Sequence, residues 1–142
     1  MINLGMIKRG STLVDHFAKP TNSAISAHQD GFEVRESCSD RIVVLAVSDA
    51  VDLLSAPQLT EAICAALGKA PAGLIVDLTD VEFLAAVGMS VLVAAQEAAD
   101  AMSVPFGIVA DGPATSRPIR LLGIDAILAL YPTLDDAVRD LR

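Results

Sequence analysis

The 142-residue chain has no tryptophan, and aromatic residues make up only 4% of it. Single-stranded nucleic acid is held by exposed rings set among basic side chains, a composition this chain lacks. Positive charge is also scarce. Ten Lys and Arg face eighteen Asp and Glu, a net charge of −8. Such a chain repels phosphate backbones and anionic membranes, so neither nucleic acid nor a membrane is expected as a partner. A basic surface on another protein is compatible with it. Histidine is confined to His16 and His28, ahead of every periodic segment. A Ser-His-Asp or Cys-His arrangement would have to reach back to them, and a metal centre fails for the same reason. No metal, no cofactor and no enzymatic activity are therefore expected. GxGxxG and GxxxxGK[ST] are both absent, which removes the usual phosphate-cradling loops. The two cysteines, Cys38 and Cys64, lack CxxC spacing. Free thiols in a reducing compartment are the expectation, with a regulatory Cys38–Cys64 disulfide as the alternative. The uncharged run at 83–95 is shorter than the roughly 20 residues a bilayer requires. Residues 1–10 lack the apolar stretch of a leader, so a cytoplasmic protein is expected.

What is present is aliphatic. Apolar residues make up 53% of the chain, enough for one domain with a core of Leu, Val, Ile and Ala. Residues 1–30 mix Gly, Ser, Thr, Asn, Pro and Lys without sustained periodicity and read as a flexible extension, with a helical turn at 11–17. The domain occupies 31–142. Alternation at 32–38 and the run IVVLAV within 41–47 predict a hairpin, its second strand internal. Ser55 with Gln58 reads as a capping box opening a helix that Gly68 and Pro71 close. A buried strand at 73–78, a helix at 88–102 and a strand at 106–110 follow. A short helix through Leu121 and Leu122 then ends at Gly123. A strand at 126–130 precedes a last helix capped by Thr133, with Asp135 and Asp136 at its start and Arg139 and Arg142 at its end, matching the helix dipole. The order β-β-α-β-α-β-α-β-α predicts an α/β fold: a mixed, mostly parallel sheet with an antiparallel first strand and four helices packed on it.

Two acidic pairs, Asp49 with Asp52 and Asp77 with Asp80, stand at predicted strand ends, where ligands sit in such sheets. A magnesium centre of the response-regulator type would need a carboxylate cluster there. No lysine near a later strand end completes one, so these are read as solvated turn formers.

The most distinctive stretch is Leu74 to Val93, LIVDLTDVEFLAAVGMSVLV. It resembles the STAS domain, the family of bacterial anti-sigma factor antagonists and of sulfate-transporter tails, whose pattern reads hhhDLSxVxFhDSSGhxxL with h apolar. Asp77, Leu78, Val81, Phe83, Gly88, Met89 and Leu92 match in register. Upstream, Asp52, Ser55, Ala56 and Leu59 match the family's GxhDxxTAxxL, with Asp49 in place of its glycine. Residues 117–124, RPIRLLGI, are similar to the stretch before the last strand. The likeness, closest to actinobacterial antagonists, spans about 32–141.

The resemblance implies a protein that binds an anti-sigma factor, often a serine kinase, and so releases a sigma factor. It also implies a phosphorylated serine in DSSG. Here DSSG is Ala85-Ala86-Val87-Gly88: the acceptor position is Val87, without a hydroxyl. The phosphorylation switch is therefore expected to be absent, with Ser90 the nearest alternative acceptor. The expected partner surface comprises Asp52, Ser55, Asp80, Glu82, Leu84, Ala85, Ala86, Val87, Gly88 and Met89, an uncharged turn with a polar rim. The alternative is a redox- or ligand-sensing scaffold that binds no anti-sigma factor. Homodimerisation is left open.

Overall fold

The computed structural model describes residues 31–142. The extension at 1–30, its expected helical turn and both histidines lie outside the described residues. Five strands form one sheet in the order β1-β2-β3-β4-β5. β1 (Glu33–Ser39) and β2 (Ile42–Val51) are an antiparallel hairpin. Asp40 and Arg41 connect them with φ of 55° and 66°; positive φ at both loop residues is what a two-residue hairpin turn of type I′ requires. β2, β3 (Gly73–Leu84), β4 (Phe106–Val109) and β5 (Leu130–Tyr131) run parallel.

Strand alternation divides the core into two layers. Val43, Leu45, Val47, Leu74, Val76 and Leu78 face the helices α1 (Ala56–Leu67) and α2 (Ala86–Ala101), which contribute Leu59, Ile63, Leu92 and Ala95. Ile42, Val44, Ile75 and Val109 face the opposite way, onto Ala137 of the last helix, α4 (Leu134–Leu141). Between β4 and β5 lie the short α3 (Ser116–Leu121) and a 3₁₀ turn, Ile124–Ala126. The expected mixed sheet, antiparallel first strand and four helices are all present.

The departures from expectation have local causes. β3 runs six residues beyond 78 because Val81 and Leu84 continue its inward pattern. One extra residue of β3 opposite Ala46/Ser48 and another opposite Asp49/Ala50 bulge that strand and turn Val81 and Leu84 inward. β4 pairs only with Leu74–Asp77, so the distal halves of β2 and β3 project past it as a two-stranded ribbon. The strand expected at 126–130 is mostly turn. Gly123 adopts φ 74°, and Ile127 and Leu128 donate back to the Ile124 carbonyl at 2.9 and 3.0 Å. Ile127 is 54% exposed, so a run that reads as a buried strand is a surface bend. At the end of α1, Gly68 stays helical and Ala70 takes the left-handed conformation, φ 51°.

Candidate functional site

The ribbon of β2 and β3 ends where Val51 faces Leu84. The Val51 carbonyl accepts from the Ala85 amide at 2.9 Å, tying the start of α2 to the end of β2. The connection from β3 to α2 is a single residue. Leu84 closes the strand, Ala85 has φ −78° and ψ 165°, and α2 begins at Ala86, two residues earlier than expected. The Ala85 carbonyl accepts from Gly88 and Met89, at 2.9 and 3.2 Å. Ala85 is thus the N-cap residue, yet no side chain caps this helix and its first turn carries no acid. An aspartate with this extended backbone would cap it, which is the physical sense of the family's Asp at this position. Gly88 is needed for space. A Cβ there would lie 2.7 Å from a Val51 methyl and 2.8 Å from a Leu84 methyl.

The expected partner residues divide by burial. Leu84, Gly88 and Met89 are buried and support the turn from below, while Ala85 and Val87 are half-buried and Ala86 is exposed. Asp80 and Glu82 stand exposed on the ribbon. Ser55 is 2% exposed, and the capping box expected from it does not form. Its backbone is helical, φ −96° and ψ −18°, with no side-chain bond into α1. The Ser55 hydroxyl instead donates to the Ala50 carbonyl at 2.8 Å and accepts from the Asp52 amide at 3.0 Å. Asp52 Oδ1 accepts from the Leu54 and Ser55 amides at 3.0 and 3.2 Å. This closed set of bonds shapes the loop between β2 and α1, so Asp52 and Ser55 position their neighbours.

Of the exposed apolar residues here, Leu53 and Leu54 are what sequence reasoning missed, while Phe83 opens the turn it singled out. Leu53 is 76% exposed, Leu54 57% and Phe83 56%. Phe83 pairs with Ala50, one residue before the strand tip. Leu53, Leu54, Phe83 and the alanines therefore gather at one end of the ribbon as an uncharged patch with Asp80 and Glu82 at its edge. Scattered exposed apolar residues are ordinary; several around one turn mark an interaction surface. Two apolar residues directly before a predicted cap were the available signal.

Asp49, standing where the family pattern has glycine, has φ 75°. Asp is one of the few side chains that tolerates this region, which explains both the family's glycine and its replacement. Asp77 Oδ1 accepts from the Thr79 amide at 3.0 Å and from its hydroxyl, an Asx turn. Among the described residues no group of three or more His, Cys, Asp or Glu is placed to hold a metal. No helix among them is long and apolar enough to cross a membrane. The Ser90 hydroxyl is exposed and donates to the Ala86 carbonyl at 3.3 Å. Cys38 and Cys64 are both free and exposed, on β1 and α1. Cys64 lines a groove of about 260 Å³ between α1 and α2 with Thr60, Val87 and Ser90. Although the residue is exposed at the surface, the thiol's partial burial against this groove, and then the charge of Glu61, push its pKa up. A second hollow, about 380 Å³, lies on the other flank of α2. Ala86, Met89, Ser90 and Val93 line it with Leu122 and Ile124, and Glu97 stands in its wall.

A parallel sheet opened by an antiparallel strand, with a one-residue link from β3 into α2, defines the class. The chain belongs to the STAS domain family, whose model matches residues 34–137. It is 39% identical over 113 residues to RsfB of Mycobacterium tuberculosis, an anti-sigma-F factor antagonist, covering 80% of this chain and 92% of that protein. The crystal structure of an anti-sigma factor antagonist from Mycobacterium paratuberculosis superposes with a TM-score of 0.73 at 41% identity, covering 80% of this chain and 96% of that one. A putative antagonist from Thermotoga maritima shares the fold, TM-score 0.71, at 20% identity over 77% of this chain and 94% of its own.

Proposed function

We propose that this chain is an anti-sigma factor antagonist that docks on an anti-sigma factor, a serine kinase-like protein in the cytoplasm, and frees the sigma factor. The 39% identity to RsfB over nearly all of that protein carries the reading. The patch of Leu53, Leu54, Phe83, Ala85 and Ala86 supports it. An interface core is depleted of charge and its rim is polar, and Asp80 and Glu82 supply such a rim. The work is binding, not catalysis. Val87 occupies the acceptor position with no hydroxyl, so antagonism runs without the serine switch.

Pull-down with candidate anti-sigma factors, followed by competition for sigma release, tests the reading. Phe83→Asp and Leu54→Asp place a charge in the patch without touching the core, and each should weaken binding about 10- to 100-fold. Retained affinity in both would move the docking surface elsewhere. Incubation with the cognate kinase should label Val87→Ser and leave the native chain unlabelled; a label on native Ser90 would restore a switch by another residue.

A further inference from the structure

Apart from the docking patch and Met102, the exposed large apolar residues are concentrated in one short stretch. Leu121 is 72% exposed, Leu122 62% and Ile127 54%. They flank the 3₁₀ turn after α3, and Leu122, with Ile124 of that turn, lines the 380 Å³ hollow. One continuous surface thus carries apolar projections and an apolar recess side by side.

Its charges are equally mixed. Among the described residues, Arg35 pairs with Glu33, Lys69 with Glu36, Arg139 with Asp136 and Arg142 with Asp40. The Arg41 guanidinium donates to the Ala70 carbonyl. Arg117 and Arg120, on α3, have no such partner among the described residues. In so acidic a chain, two exposed cations without a carboxylate are unusual. Glu97 in the wall of the hollow and exposed Asp125 in the 3₁₀ turn offer the opposite sign on the same surface.

A two-fold interface requires one patch to complement itself. We propose that a second copy of this chain covers this face, Leu121 of each copy entering the hollow of the other and Arg120 of one meeting Glu97 of its partner. An anionic membrane fits poorly, because Glu97 and Asp125 put negative charge on the same face as the two arginines. A wholly acidic partner would leave Glu97 and Asp125 opposed. Ala86 and Ser90 line the hollow and also open α2, so the paired form covers part of the docking turn. Resting on the function proposed above, this makes self-association an off-state that the missing serine switch does not supply.

Sedimentation velocity of the full chain across a concentration series is the test. A reversible monomer–dimer equilibrium is expected. Leu121→Asp should weaken it at least about tenfold, as should Arg120→Glu and Glu97→Arg singly, while the double swap Arg120→Glu with Glu97→Arg should recover most of the loss. All these side chains are exposed, and circular dichroism should confirm that each variant folds. A chain monomeric at every concentration overturns the proposal, as does a dimer indifferent to these substitutions. Anti-sigma factor binding separates the two readings. Leu121→Asp should bind at least as tightly as the native chain; loss of binding assigns the face to the heterologous partner and overturns the dimer. If no variant, nor the native chain, binds any anti-sigma factor while the dimer behaves as described, only the functional reading fails.

Discussion

The helices α2 and α4 begin in opposite ways. At α4, Thr133 is extended, and its hydroxyl accepts from the Asp136 amide at 3.1 Å, with Asp135 and Asp136 in the first turn. At α2, Ala85 is equally extended, but neither cap nor acid is present. Both backbones are ready for a cap and only one has it. Local stability therefore shaped the start of α4, whereas the start of α2 relies on packing from beneath and presents an uncharged surface. A helix start that forgoes about 1 kcal/mol of capping and gathers exposed Leu53, Leu54 and Phe83 around itself fits a surface kept for a partner.

If packing holds the start of α2, crowding it should have the largest effect. Gly88→Ala places a methyl 2.7 and 2.8 Å from carbons of Val51 and Leu84, both buried. Overpacking of this kind costs about 1–3 kcal/mol, and alanine's better helix propensity returns about 1 kcal/mol at most. A net loss of about 1–2 kcal/mol should appear in urea unfolding. No loss would mean that α2 is free to shift outward.

The caps come next. Thr133→Ala should cost about 1 kcal/mol by removing the bond to the Asp136 amide. Ala85→Asp should move the other way, gaining up to about 1 kcal/mol from a cap and a favourable dipole contact, while anti-sigma factor affinity falls because a charge enters the patch. Stability and binding changing in opposite directions at one residue would separate the two demands on this turn. If Ala85→Asp gained stability with no loss of binding, the absence of a cap would have no functional reason.

The legible parts of this molecule are those where one physical signal dominates. The hairpin, the parallel strands and the four helices follow from alternation, helical periodicity and turn residues, and Thr133 caps as its sequence context suggests. What escaped depends on tertiary pairing. The extension of β3 through Leu84 buries only every third residue, because β3 itself bulges twice against β2. Ile127 and Leu128 sit in an apolar run that reads as a strand until Gly123 turns the chain. In the site, the uncharged turn was legible, but which of its residues face outward was not. Ser55 looks like a cap and is a buried brace. Leu53 and Leu54 look like core and are the most exposed part of the patch, because the Asp52–Ser55 bonds turn the loop outward.

The smallest effect concerns the other end of α4. The Tyr131 phenol donates to Asp140, and its pKa is pushed up to about 12, by burial first and then by the hydrogen bond and charge of Asp140. The unfolded chain should ionise near 10. The folded state therefore keeps the phenolic proton more tightly. The associated stability is complete below pH 10 and is lost as pH rises from about 10 to about 12. Tyr131 is the one tyrosine in the chain, so its absorbance reports this titration alone. Asp140→Asn should lower the midpoint only partway, since burial is the larger cause. A native midpoint near 10 would mean that β5 and α4 are not held together by this contact.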